Sequence, residues 1–450
     1  MKKSLLFLMA ALLLGMVSSC KKETVDVTDL LKSVPSSAAG VMVFNIEGML
    51  EDTGCKVKDH EVKPSDEIKA LLKESGSEKY EDVMMLFNGE TGIEPKGAVI
   101  FYDTNRSYLT VALYDVDKFY QYVEKKNGKK FEDAGSGVKV AGNIAVKGAQ
   151  AWLCLSYGKR IDPETISSYA SLASSQSFLV TPMGEELLIS EKDIRGWGLV
   201  KTLLNETLSV YHRNAVTMGL GFLFEDVEAL KFSVNFEKGE MEAEAHFLND
   251  KNRPAKYQLP AEKVNVNTLK AIGGTCDAMM AFTVSPKLIK KFDQLGNALG
   301  GALFGDLGEM FKNIDGTIGV AASGTGVDES FSGVITTKGE VSKDLRDMIS
   351  DNFGSLSMDG KLLRFTRGDV KGALNVEECA EALKGCCLGL VMDGSGYNGI
   401  GYGQAPTGFK DIVVKLEPES GGLELEVTLH TIDPKTNALL TLLQNQKSFR

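Results

Sequence analysis

From Leu230 the chain alternates apolar and polar side chains: Leu230, Phe232, Val234 and Phe236 interleave with Lys231, Ser233, Asn235 and Glu237. After Lys238-Gly239 the pattern resumes, with Met241, Ala243, Ala245 and Phe247 set against Glu242, Glu244 and His246. Period-two alternation on both sides of a glycine turn predicts a β-hairpin with one buried face. Near the C-terminus, Ile412, Val414 and Leu416 lead through Pro418 and Gly421-Gly422 into Leu423, Leu425, Val427 and Leu429, interleaved with Glu424, Glu426 and Thr428. The same hairpin pattern thus occurs twice, which points to an internal repeat.

Two further stretches follow suit. Leu31 to Leu50 aligns without gaps on Leu269 to Leu288, with Leu31/Leu269, Lys32/Lys270, Met42/Met280, Phe44/Phe282 and Leu50/Leu288 identical. The strand pattern Leu109 to Leu113, followed by a helix that Asp117 is expected to cap, matches Phe331 to Ile335 and a helix capped by Ser342. Both helices repeat apolar residues at i, i+3 and i+4 behind the cap. The predicted fold class is α+β: two duplicated domains, each an antiparallel sheet with helices packed on one face. The first repeat is read as 30–255 and the second as 262–448, joined by the polar segment Asn249 to Pro254.

The N-terminus carries the strongest targeting signal. Met1-Lys2-Lys3 is a short basic region, and Leu5 to Val17 is an apolar run too short to span a hydrocarbon core of about 30 Å. Residues 1–19 are therefore read as a cleaved signal peptide. The closing Val17-Ser18-Ser19-Cys20 resembles a bacterial lipobox, which implies acylation of Cys20 and cleavage before it. Residues 20–29 then form a tether of at most ~36 Å, so the body is expected to work close to a membrane. Lys21 is not the aspartate that favours inner-membrane retention in the lipoproteins this resembles, which implies the outer membrane. Glu23, Asp26 and Asp29 loosely match the acidic residues that follow the cysteine in surface-exported examples.

Lipobox, Leu-Lys-x-Val-Pro-type turn, strand and Leu-rich helix together resemble bacteroidete-type envelope lipoprotein families classed as domains of unknown function. That resemblance implies an envelope location and no assigned activity. Composition agrees with a folded body, at 43% hydrophobic and 25% charged residues. The net charge of −11, more acidic still once Lys2 and Lys3 leave with the signal, offers phosphate backbones no counterion-release incentive, so nucleic acid is excluded as a partner.

Candidate chemistry is sparse. Once Cys20 is lipidated, six cysteines remain: Cys55, Cys154, Cys276, Cys379, Cys386 and Cys387. No CxxC occurs, and Cys386 and Cys387, adjacent in an expected strand, point to opposite faces; buried thiols are the reading. His60, His212, His246 and His430 are scattered without HExxH spacing, so no metal site and no cofactor are assigned, and His246 and His430 are expected to face solvent at strand ends. Gly394-Ser395-Gly396-Tyr397-Asn398-Gly399 spells a dinucleotide-loop pattern, but the glycine-rich, proline-bearing stretch after it cannot open the helix that pattern needs. It is read as a loop in which Tyr397 and Tyr402 are candidate ligand contacts.

Glu242 with Glu244, and Glu424 with Glu426, share strand faces at about 7 Å, a separation inverting glycosidases use. Alternation puts them on the polar face, where a carboxyl lacks the desolvation that a general acid requires. Calcium finds no EF-hand-like loop. No catalytic residue is assigned. The expectation is a non-enzymatic outer-membrane lipoprotein, reaching the cell surface in one orientation, that acts as a binding or assembly partner for an envelope protein or polymer. The alternative is a hydrolase of envelope or dietary polymer with its site in a cleft between the repeats.

Overall fold

The computed structural model describes residues 27–445 apart from 75–76, 104–105, 157, 208, 259–261, 291–310, 325–328, 395–407 and 420. The fold mixes helices with mostly antiparallel sheet. It divides into two compact units: residues up to 210 with 229–238 and 435–444, and residues 211–228 with 239–434. No described helix is long and apolar enough to cross a membrane.

The first unit is a sheet built on β1 (Gly40–Asn45). Beside it run β2 (Ile93–Asp103), β3 (Arg106–Leu113), β4 (Ile144–Lys147), β5 (Gln150–Cys154), β6 (Ile194–Leu199) and β7 (Ala229–Phe236). Antiparallel pairings give the order β4-β5-β3-β2-β1-β6-β7. Trp152, Tyr108 and Phe101 are fully buried, and the rings of Phe101 and Tyr108 stack at 5.3 Å with Tyr169 edge-on to both. Helix α1 (Val116–Asn127) is capped by Asp115, whose carboxylate accepts from the amides of Asp117 and Lys118; Gly128, at φ 63°, ends it. The cap lies two positions before the expected Asp117, because Asp115 is the residue that keeps extended dihedrals.

The second unit contains β8 (Glu240–Leu248), β9 (Ala278–Val284), β10 (Ile314–Ser323), β11 (Ser330–Thr337), β12 (Ser355–Asp359), β13 (Leu362–Arg367), β14 (Leu388–Asp393), β15 (Phe409–Glu419) and β16 (Gly422–Thr431). The order is β8-β16-β15-β14-β9-β10-β11-β13-β12, antiparallel throughout. Its helices are α2 (Val266–Lys270), α3 (Lys343–Phe353), capped by Ser342 as its sequence predicts, and α4 (Val376–Ala382), capped by Asn375.

These helices lie on both faces of the sheet, which corrects the expectation of a single covered face. Leu269, Ala380 and Leu383 pack with Met279, Ala281 and Ala321 on one side. Leu345 and Ile349 pack with Ile318, Ile335, Leu363 and Phe365 on the other. Central strands β9 and β10 are apolar at successive positions, so both faces need cover. A Cβ at Gly319 of β10 would stand 2.4 Å from Leu269, so helix and sheet approach as closely as only glycine allows. Gly319→Val should therefore lower unfolding stability by about 1–3 kcal/mol in urea titrations, through overpacking; an unchanged midpoint would show that α2 does not seat there.

Candidate functional site

On the α4 side of the second unit, strands β15 and β16 place Asp411 directly opposite His430. A cavity of about 400 Å³ opens there. Leu374, Cys379, Val391 and Val413 make its apolar wall, and Glu378, Lys410, Asp411 and His430 supply its charge. His430 Nδ1 donates to Asp411 Oδ1 at 2.5 Å, and its Nε2 lies 3.6 Å from Glu240 Oε2. The hydrogen bond to Asp411 raises the imidazole above its ordinary value, against the opposing effect of burial. Lys410 Nζ lies 3.8 Å from Asp411 and 3.9 Å from Glu378.

Carboxylates at both ring nitrogens favour the charged imidazole, so Asp411, His430 and Glu240 form a charged cluster at the cavity. Thr431, next in sequence, donates its hydroxyl to the Asp433 carbonyl at 2.7 Å. The arrangement suits a small polar or charged group seated over an apolar floor.

The cysteines are buried, all six of those described. Cys276 and Cys379 hydrogen-bond to one another in the α4 core, and that contact with burial pushes the Cys276 thiol up. Cys386 and Cys387 precede β14, which begins at Leu388, instead of lying within it; the first donates to the Leu383 carbonyl at 3.0 Å and the second to that of Leu416 at 3.3 Å. Burial pushes them up to about 12 and about 11, so both are protonated and unreactive at neutral pH.

The alternating face of β8 and β16 differs from expectation. Glu242, Glu244, Glu424 and Glu426 are half-buried instead of solvated, and so are His246 and His430, which do not simply face solvent. The reason is register: β16 lies between β8 and β15, so its polar side chains are flanked on both sides by those of its neighbours. Lys415 Nζ lies 3.0 Å from Glu417 and 2.8 Å from Glu426. Beyond it, His246 is paired with Glu424 across the strands, its Nε2 3.7 Å from the carboxylate, while its Nδ1 is 3.8 Å from Glu419. Burial, with the charges of Glu419 and Glu244 beside it, pushes Glu424 up to about 7.

Cys20, Tyr397 and Tyr402 lie outside the described residues. In the first unit the sequence gave no sign of His60 beside buried Glu94, with Nδ1 2.5 Å from Oε2 and the ring stacked on Tyr114 at 4.7 Å. The two residues lie far apart in the chain, and nothing in the local pattern joins them.

No family model and no curated protein matches this chain. Among solved structures, crystal forms I and III of TP0453, a treponemal lipoprotein, are similar at 9% identity. They cover 80% and 78% of this chain and 97% and 96% of that one, with TM-scores of 0.28 and 0.25. A likeness that loose carries no inference about function.

Because the folded His430 value is raised, the pair's stabilisation is complete below the unfolded value of about 6.5 and is lost as pH rises through the folded value. His430→Gln should therefore cost about 1 kcal/mol near pH 6, allowing for solvent screening, and less at pH 9. Urea unfolding of both proteins at the two pH values measures it; an equal cost at both would mean that no charged pair forms.

Proposed function

We propose that the chain is a non-enzymatic outer-membrane lipoprotein of the bacteroidete envelope type, anchored through Cys20, that binds or helps to assemble a protein or polymer partner at the cell envelope. The observation that carries this reading is the N-terminal sequence: a basic start, a short apolar run and Val17-Ser18-Ser19-Cys20. Several acyl chains at about 0.8 kcal/mol per buried methylene make such attachment effectively permanent. The cavity beside Asp411 and His430 supports binding, since its histidine is committed to carboxylates and its floor is apolar.

The body is two copies of one α+β domain, residues 30–255 and 262–448. Three features support the duplication. First, the aligned strands β1 and β9 are each flanked by the next long strand on one side and a later strand on the other: β2 and β6 for β1, β10 and β14 for β9. Second, the aligned strands β3 and β11 each pair with that next strand. Third, with Met241 aligned on Leu423, Glu244 corresponds to Glu426, and these two residues pair with each other in β8 and β16. A strand that pairs with its own counterpart about a central residue is the isologous contact expected of two related copies.

Cys20→Ala should move the protein from the membrane pellet to the soluble fraction and abolish its partition into detergent, while protease treatment of intact cells reports the side it faces. Retention of that variant in the membrane fraction would overturn the anchor.

A further inference from the structure

We propose that Glu244 and His246 of β8 and Glu424 of β16 form a binding site for one divalent transition-metal ion, with zinc as the ion to test. The three residues offer one imidazole nitrogen and two carboxylate oxygens that all lie within 4.8 Å of one another. An ion with ligand bonds of about 2.1 Å in a tetrahedron needs its ligand atoms about 3.4 Å apart, so a closure of roughly 1 Å completes the site. His246 Nε2 and Glu424 are already at 3.7 Å.

The backbone supplies the convergence. His246 and Glu424 are direct cross-strand partners, and Glu244, two residues before His246, projects from the same face. All three sit on paired strands and not on loops, which fixes their spacing. The neighbouring carboxylates are otherwise engaged: Lys415 takes Glu417 and Glu426. Glu419 lies against the other ring nitrogen, Nδ1, at 3.8 Å, so water is left to fill the fourth position.

Charge points the same way. Glu244, Glu419 and Glu424 crowd one imidazole, so negative charge gathers where a divalent ion would supply two positive charges and directed bonds. The donor set selects the class of ion: imidazole with two carboxylates suits zinc and its neighbours, whereas calcium requires six to eight oxygens.

The test is competition between the purified full chain, stripped with a chelator, and a colorimetric zinc indicator. One equivalent of zinc per chain is expected. His246→Ala and the isosteric Glu424→Gln should each weaken it at least tenfold, and Asp369→Asn, in an exposed pair with Lys371, should leave it unchanged. The cobalt-loaded chain should show ligand-field bands without a thiolate charge-transfer band. Absence of stoichiometric binding, retention of it in folded His246→Ala, or a thiolate band assigning the metal to the cysteines would overturn the site.

Discussion

The register between β8, β16 and β15 is the constraint on which the chemistry of the second unit rests. Side chains in a strand alternate strictly, so a slip of one residue would exchange the apolar set Met241, Ala243, Ala245 and Phe247 for Glu242, Glu244 and His246. Both faces of β8 are half-buried from Glu240 to His246, and its continuous antiparallel pairing with β16 holds the register. With that register Asp411 opposes His430, Glu426 opposes Glu244, and Glu424 opposes His246. The ion pair at the cavity and the carboxylate–imidazole cluster are therefore two consequences of one strand alignment.

Their electrostatics differ because the neighbouring strand offers different partners. Where β15 presents Asp411, the imidazole gains a carboxylate close enough to hold its proton. Where β15 presents Lys415, two glutamates are neutralised. Further along, β15 offers Glu419, and Glu244, Glu419 and Glu424 are left to share one histidine. A half-buried surface makes such imbalances costly, and proton or cation uptake relieves them.

Much of the fold was legible in the sequence because alternation marks a strand. The strands around Leu230–Phe247 and Ile412–Leu429 and the cap at Ser342 lie where residue pattern placed them, although Leu230–Asn235 and Glu240–His246 are half-buried on both faces and not buried on one. The two-sided cover of the central sheet was not legible, since an apolar run such as Ala278–Val284 says that a strand is buried but not by what. The sites were harder still. Every strand glutamate looks solvated when its own strand is read alone; half-burial and the company of His246 arise only when residues remote in sequence are brought into register. Tyr397 and Tyr402 lie outside the described residues.

The register itself is open to direct measurement. With His246→Cys and Glu424→Cys introduced together, mild oxidation followed by peptide mass spectrometry should yield the disulfide between these two positions, because directly opposed Cβ atoms lie about 4.5–5.5 Å apart. The control pair, His246→Cys with Leu425→Cys, places the thiols on opposite faces of the sheet and should yield none. A link in the control pair, or its absence in the first, would contradict the β8–β16 register and with it the cluster around His246.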